Sequence, residues 1–152
     1  MIRARAQCIV QRNSKILMVR HRFEGREWWC LPGGGVKDGE EAAVAALREL
    51  KEECCVDGRL IRVLSQYTDD QGSDILTYLV DIGNQQPHRG ADPEFTPDGQ
   101  ILREVRWLGL DEICERDRAY LWAAGLLCVP EFLEELTSWD DDISYPGTES
   151  EV

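Results

Sequence analysis

The rhythm of hydrophobic and polar positions changes along this chain, and each change predicts an element. Two short apolar stretches, 4–11 and 15–20, flank Asn13-Ser14, whose side chains suit a tight turn, so they read as a β-hairpin. Residues 23–27 are polar and read as a loop. Residues 28–31 read as a short strand entering Pro32-Gly33-Gly34-Gly35, a run of chain punctuation. From 39 to 54 the strong helix formers Ala, Glu, Leu, Arg and Lys take over, with no proline or glycine after Gly39. At 100° per residue Val44, Leu47, Leu50 and Cys54 share a sector that predicts the packed side, and Glu49, Glu52 and Glu53 fall on nearly the opposite face.

Beyond this helix, 59–67 and 74–82 are strand-like around Asp69-Asp70-Gln71-Gly72-Ser73, with Leu76, Tyr78, Val80 and Ile82 alternating on one face. They predict a second hairpin. Residues 83–100, rich in proline and glycine, read as a long loop, and loops of that length in compact domains are usually functional or mobile. A strand at 103–108 precedes a helical region opened by Asp111 at an N-cap position, continuing through 119–128 and a last helix started by Pro130. The expected organisation is one domain over 1–138 and a flexible acidic tail over 139–152.

Composition narrows the reading. A chain of 152 residues can bury roughly 70% of its extended surface in one core. It has 43% hydrophobic residues and no apolar run of the ~18 residues that a membrane span needs. Seventeen basic against 29 acidic side chains give a net charge of -12, which repels a polyanion unless a cation intervenes, so readout of duplex nucleic acid is excluded as an expectation. Six cysteines form no CxxC pair and neither His21 nor His88 is close to another ligand in sequence, so no zinc spacing exists and buried thiols are expected. The N-terminus lacks an apolar signal core, which fits a cytoplasmic protein.

The chemistry concentrates between Gly34 and Val56. Three carboxylates on one helix face repel: two unit charges about 6 Å apart cost roughly 3 kcal/mol at an effective dielectric of 20. A hard divalent cation held by carboxylates, a carbonyl and water would offset this. Taken alone, the glutamates would be better explained by a solvated acidic face and an ordinary Arg48–Glu52 ion pair. The whole spacing decides between them: Gly34, five residues, Glu40, seven residues, then Arg48-Glu49-Leu50-Lys51-Glu52-Glu53-Cys54-Cys55-Val56.

This pattern resembles the Nudix box of the Nudix hydrolases, departing from it only where Cys55 replaces a glycine. Trp29-Cys30-Leu31-Pro32-Gly33-Gly34 is similar to the strand that leads into that box. The resemblance implies an α+β Nudix fold, a mixed sheet sandwiched between helices, and hydrolysis of a nucleoside diphosphate linked to another moiety, such as a nucleoside triphosphate or nucleotide sugar. It implies Mg²⁺, with Mn²⁺ as substitute, held by Glu49, Glu52 and Glu53 with the Gly34 carbonyl as a further ligand. Arg48 would orient the glutamates and Glu40 would brace the loop. For the general base Glu52, Glu53, the loop acids Asp92, Glu94 and Asp98, and Glu104 remain open. The alternative to an enzyme is a non-catalytic Nudix-type sensor, which would be expected to lose box glutamates; none is lost. The family's frequent homodimers extend the expectation to a homodimer through the C-terminal helices.

Around the box, Arg20 and Arg22 are candidate phosphate clamps, with solvated surface arginines as the equal alternative. Trp28 is the candidate base-stacking platform, since Trp28 and Trp29 must point to opposite faces of a strand; Trp29 and Tyr78 are expected in the core. A side chain in the left-handed conformation that usually ends such a helix costs roughly 1 kcal/mol or more, so the helix is expected to run past Cys55 to a cap at Gly58. Position 72 is glycine where relatives acting on ADP-ribose tend to carry proline, so no substrate is named by the sequence.

Overall fold

The computed structural model describes residues 3–137. Its centre is β1 (Arg5–Ile9) and β3 (Lys15–Phe23), whose alternate side chains face both ways and are apolar on both sides. After β1 the chain crosses at Val10 into β2 (Gln11–Arg12), which turns through Asn13 and Ser14, both at positive φ, into β3. That confirms the first hairpin but splits its leading strand between two sheets. β4 (Arg26–Cys30) pairs antiparallel with β3, and β5 (Gly33–Gly35) with β1. Then follow α1 (Ala42–Cys54), β6 (Arg59–Thr68), β7 (Asp74–Asp81), β8 (Leu102–Leu108), α2 (Glu115–Ala123) and α3 (Pro130–Thr137).

One sheet is mixed, ordered β5-β1-β7-β6 with β1 and β7 parallel; the other is antiparallel, with β2, β4 and β8 each pairing β3. Strand parity divides the core in two. Ala6, Cys8, Leu17, Val19, Tyr78 and Val80 pack beneath α1 with Ala46, Leu50 and Cys54. Ile9, Ile16, Met18 and Leu31 pack on the opposite side with Leu121, Leu126 and Phe132 from the C-terminal helices. The result is the expected sandwich of helices about mixed sheets. Among the described residues no helix is long and apolar enough to cross a membrane.

Several expected elements shift. Residues 23–27 are the tip of a hairpin: Glu24 and Gly25 have φ of 50° and 78°, the two-residue turn that matches strand twist. The glycine run is itself a strand, because β5 must lie flush against β1. Val44 is 53% exposed, whereas Ala45, Ala46, Leu50, Glu53 and Cys54 are buried, so the packed face of α1 is rotated toward the glutamates. Asp111 caps no α-helix; it lies in a 3-10 turn, and α2 begins after Cys114. Of the cysteines, Cys8 and Cys54 are buried, and burial pushes both thiols far above their ordinary range; Cys30, Cys55 and Cys114 are half-buried and Cys128 is exposed. The tail expected at 139–152 lies outside the described residues.

The end of α1 also corrects the expectation about Gly58. Cys55 adopts φ 58°, ψ 33°, and its N–H bonds the Lys51 carbonyl at 3.0 Å, so Cys55 itself is the left-handed cap. Gly58 serves packing instead, since a Cβ there would strike Leu47, Leu50 and Val80. The helix therefore stores strain at Cys55. Cys55→Gly should raise the unfolding free energy by up to about 1 kcal/mol in urea titrations, the relief of a left-handed side chain less the added entropy of the unfolded glycine; unchanged or lower stability would show the cap to be unstrained.

Candidate active site

Arg48 lies where α1, β5 and the loop between them meet. Its Nε and one terminal nitrogen grip Glu40 at 2.8 and 3.0 Å, and that nitrogen also bonds the Gly35 carbonyl at 3.0 Å. The other terminal nitrogen reaches Glu49 at 2.8 Å and Glu52 at 3.2 Å. One planar guanidinium thus ties the loop to two helix carboxylates, a task for which lysine lacks the fork. Glu40 also accepts the Lys37 N–H at 3.1 Å, and with the Arg48 fork this holds its carboxyl down at about 2.

Behind Arg48 the glutamates sink into the protein. A Cβ on Gly34 would overlap the Glu49 carboxylate, so the absent side chain is what lets Glu49 lie against β5. Burial pushes the Glu49 carboxyl above its ordinary value; the Arg48 bond opposes this, and Glu53 and Glu52 add to it. Glu53 is only 5% exposed. Its Oε1 accepts the Gly33 N–H at 2.7 Å and its Oε2 faces His21 Nε2 at 3.1 Å. Burial disfavours a charged imidazole at His21, but hydrogen bonds and fields from Cys30 and Glu53 outweigh it and lift the ring to about 10.

His21, Arg48, Glu49, Glu52, Glu53 and the β5 glycines line a cleft of about 660 Å³, together with Arg3, Arg5, Lys37, Trp28, Asp92, Glu94 and Phe95. It adjoins a second hollow bounded by Tyr67, Tyr120 and Arg116 that shares Arg5, His21, Trp28, Gly33 and Gly34. The long loop is docked rather than loose. The N–H groups of His88, Gly90 and Ala91 bond the carbonyls of Cys54, Glu53 and Glu52 at 3.0, 2.8 and 3.1 Å, satisfying the end of α1. Gly90 permits this, since a Cβ there would overlap the Glu52 carbonyl.

A NUDIX domain profile matches residues 1–147. The chain belongs to the NUDIX family. The CMP-5'-(N-acetyl-N-hydroxy-3-aminopropyl)phosphonate hydrolase of Streptomyces rubellomurinus is 35% identical over 106 residues, covering 69% of this chain and 50% of that relative. The RNA pyrophosphohydrolase of Sphingopyxis alaskensis is 25% identical over 119 residues, covering 69% of this chain and 75% of the relative. The chain therefore spans half the length of the first of these relatives. A NUDIX hydrolase structure from Nitrosomonas europaea aligns with a TM-score of 0.60 at 19% identity over 89% of this chain and 90% of that one. An Ap4A hydrolase of C. elegans aligns at 0.61 and 17% identity, over 89% and 99%. Both structural likenesses concern the fold.

In this Nudix domain Gly34, Glu40, Arg48, Glu49, Glu52 and Glu53 come together along one face of α1, and Trp28 stands at the cleft. Trp29 points the other way, into the second core beneath the Arg106 guanidinium at 5.5 Å, and Tyr78 is buried at 8% exposure. Arg20 and Arg22 are not brought to the cleft. They share the Ile16 and Met18 face of β3, where Arg20 pairs with Glu27 at 3.0 Å and Glu104 at 3.1 Å, and Arg22 with Glu27 at 3.7 Å. That also removes Glu104 from the cleft, which Asp98 does not line either. Besides Arg48 and His21, the basic side chains at the cleft are Arg3, Arg5 and Lys37. The period-two arginines of β1 and its approach carried that signal in the sequence, as did the parity of His21 with Leu17 and Val19.

The Arg48–Glu40 fork sets a pH dependence of stability. Because the folded Glu40 pKa of about 2 lies below its ordinary 4.5, the stabilisation is fully present above pH 4.5 and is lost as pH falls through about 2. Glu40→Gln should lower the unfolding free energy at pH 7, with the gap to the original chain closing between pH 4.5 and 2 in urea titrations; a gap independent of pH would contradict the fork's role.

Proposed function

We propose that the domain hydrolyses the diphosphate linkage of a nucleoside diphosphate joined to another moiety, with a divalent cation as cofactor, Mg²⁺ or Mn²⁺. The observation that carries this reading is the Arg48 fork, which is braced by Glu40 and gathers Glu49 and Glu52 at a cleft that also presents Arg3, Arg5 and Lys37. Acidic and basic groups facing one hollow suit a phosphate anion that arrives with a cation. The relatives, an RNA pyrophosphohydrolase and a CMP-linked phosphonate hydrolase, support the same class.

As they stand, no three carboxylate, imidazole or thiol groups among the described residues converge on one cation position, because Arg48 draws Glu49 and Glu52 to itself. The donor set nevertheless fits a hard cation: oxygen ligands, a Glu49 carboxyl raised by burial and by its acidic neighbours, and backbone made accessible by the bare Gly34. Glu49, Glu52 and Glu53, with the Gly34 carbonyl, would hold it. When bound, the cation supplies charge neutralisation for the diphosphate and eases ionisation of the attacking water.

The remaining work falls to the chain. Arg3, Arg5 and Lys37 receive phosphate oxygens, Trp28 offers its face to a base, and Arg48 keeps the helix carboxylates in register. Glu52 takes the water proton. Its side chain is 24% exposed, against 14% for Glu49 and 7% for Glu53, and Arg48 reaches its carboxylate at 3.2 Å. Asp92 and Glu94 flank the same cleft.

The nucleotide products of cleavage should be separated and quantified from nucleoside triphosphates, ADP-ribose, sugar nucleotides and dinucleoside polyphosphates with Mg²⁺, Mn²⁺ or chelator. Turnover of one class is expected, abolished by chelator and reduced about 10²- to 10⁴-fold in Glu52→Gln. Glu53→Gln should raise the cation concentration needed. Undiminished turnover in Glu52→Gln would remove it as the base, and turnover in chelator would overturn the cation requirement.

A further inference from the structure

His21 belongs to no part of the Nudix box, yet it is wedged between a box glutamate and a thiol. On β3 it follows Leu17 and Val19 on the face that looks toward α1, beside the irregularity where β8 slips register between Arg20 and His21. Nε2 lies 3.1 Å from Glu53 Oε2 and Nδ1 lies 3.6 Å from Cys30 Sγ, with the imidazole 18% and the carboxylate 7% exposed. Trp28, opposite His21 in the β3–β4 pairing, closes one side with a perpendicular ring at 5.7 Å.

The chemistry of the three groups orders this line. A carboxylate only accepts, so the nitrogen facing Glu53 must carry the proton whether the ring is neutral or cationic. The thiol adapts to either state, donating its S–H to a bare Nδ1 or accepting from an Nδ1–H. Glu53 then receives one N–H on each oxygen, from Gly33 at 2.7 Å and from His21. Each oxygen keeps a lone pair, and the plane of the carboxylate is pinned between β3 and β5.

We propose that His21 is a positioning residue that, through Nε2–H, fixes the Glu53 carboxylate in the orientation in which it receives the divalent cation, with Cys30 steadying the far side of the ring. The hydrogen bond itself stands on geometry alone; its effect on the cation rests on the functional reading above. Hydrogen-bond partners of ligating groups typically change metal affinity 10- to 100-fold when removed.

Two measurements on the full chain separate these layers. Long-range ¹⁵N–¹H correlation of the imidazoles without metal, with His88→Gln assigning the two rings, should show His21 protonated at Nε2. A bare Nε2 with the proton on Nδ1 alone would overturn the proposal. Mn²⁺ binding followed by electron paramagnetic resonance should weaken about 10-fold or more in His21→Leu. It should recover in His21→Gln, whose amide N–H can occupy the Nε2 position, and stay weak in His21→Asn, which is too short to reach Glu53. Equal affinities in the Leu and Gln variants would refute the positioning role, and should His21→Leu fail to fold, the contrast between Gln and Asn decides. Failure of Mn²⁺ to bind the unaltered chain would instead sink the cation reading, while the imidazole spectrum still decides the hydrogen bond.

Discussion

The structure around the cleft depends on one guanidinium. Arg48 holds Glu40, Glu49, Glu52 and the Gly35 carbonyl at 2.8 to 3.2 Å, and without it these three carboxylates would lose the one guanidinium they share. Like charges at such spacing repel by a few kcal/mol at intermediate dielectric. Arg48 converts that repulsion into a brace: the same fork that compensates the charge fixes the loop after β5 to the middle of α1. Its 21% exposure leaves these bonds partly shielded from water, where charge-assisted hydrogen bonds count for more than at an open surface.

Backbone contacts complete what the side chains begin. β5 is three glycines because its neighbours come too close for a Cβ: Gly33 is pressed against Ala6 and Gln7 of β1, and Gly34 against Glu49. At the other end of α1, the loop from His88 to Ala91 donates to the last carbonyls of the helix and carries Asp92 and Glu94 to the cleft. Helix, strand and loop therefore share a boundary formed largely by main-chain groups. The glutamates are displayed from a frame that is already satisfied, which favours a defined arrangement over a merely acidic surface.

Much of this was legible in the sequence because the box is local. Gly34, Glu40, Arg48 and the glutamates fall within one loop and one helix, where spacing alone determines which groups can meet. The strand and helix rhythms gave the separate elements, and the α+β sandwich followed from the resemblance. What escaped depended on tertiary parity. Arg20 and Arg22 attracted attention by proximity to the box, yet strand alternation turns them toward Glu27 and Glu104, while Arg3 and Arg5 reach the cleft from β1 and its approach. His21 meets Cys30 and Glu53 only once β3, β4 and α1 are assembled. Val44 fits an apolar sector but is exposed, because α1 packs through small Ala45 and Ala46 and buries Glu53. At Cys55 the rule that avoids left-handed side chains lost to the need for a cap immediately after the last box glutamate's turn.

The central claim is that this braced acidic face of α1 is built to take up a divalent cation. The most direct test is the unfolding free energy of the chain as a function of Mg²⁺ or Mn²⁺ concentration at constant ionic strength. A cation that binds only the folded state adds about 2.7 kcal/mol at a hundredfold excess over its dissociation constant, and the account predicts that rise, with Ca²⁺-free chelator returning the original value. A stability indifferent to the cation up to tens of dissociation constants typical of such sites, or one that rises equally when Glu49 and Glu52 are both replaced by Gln, would contradict it.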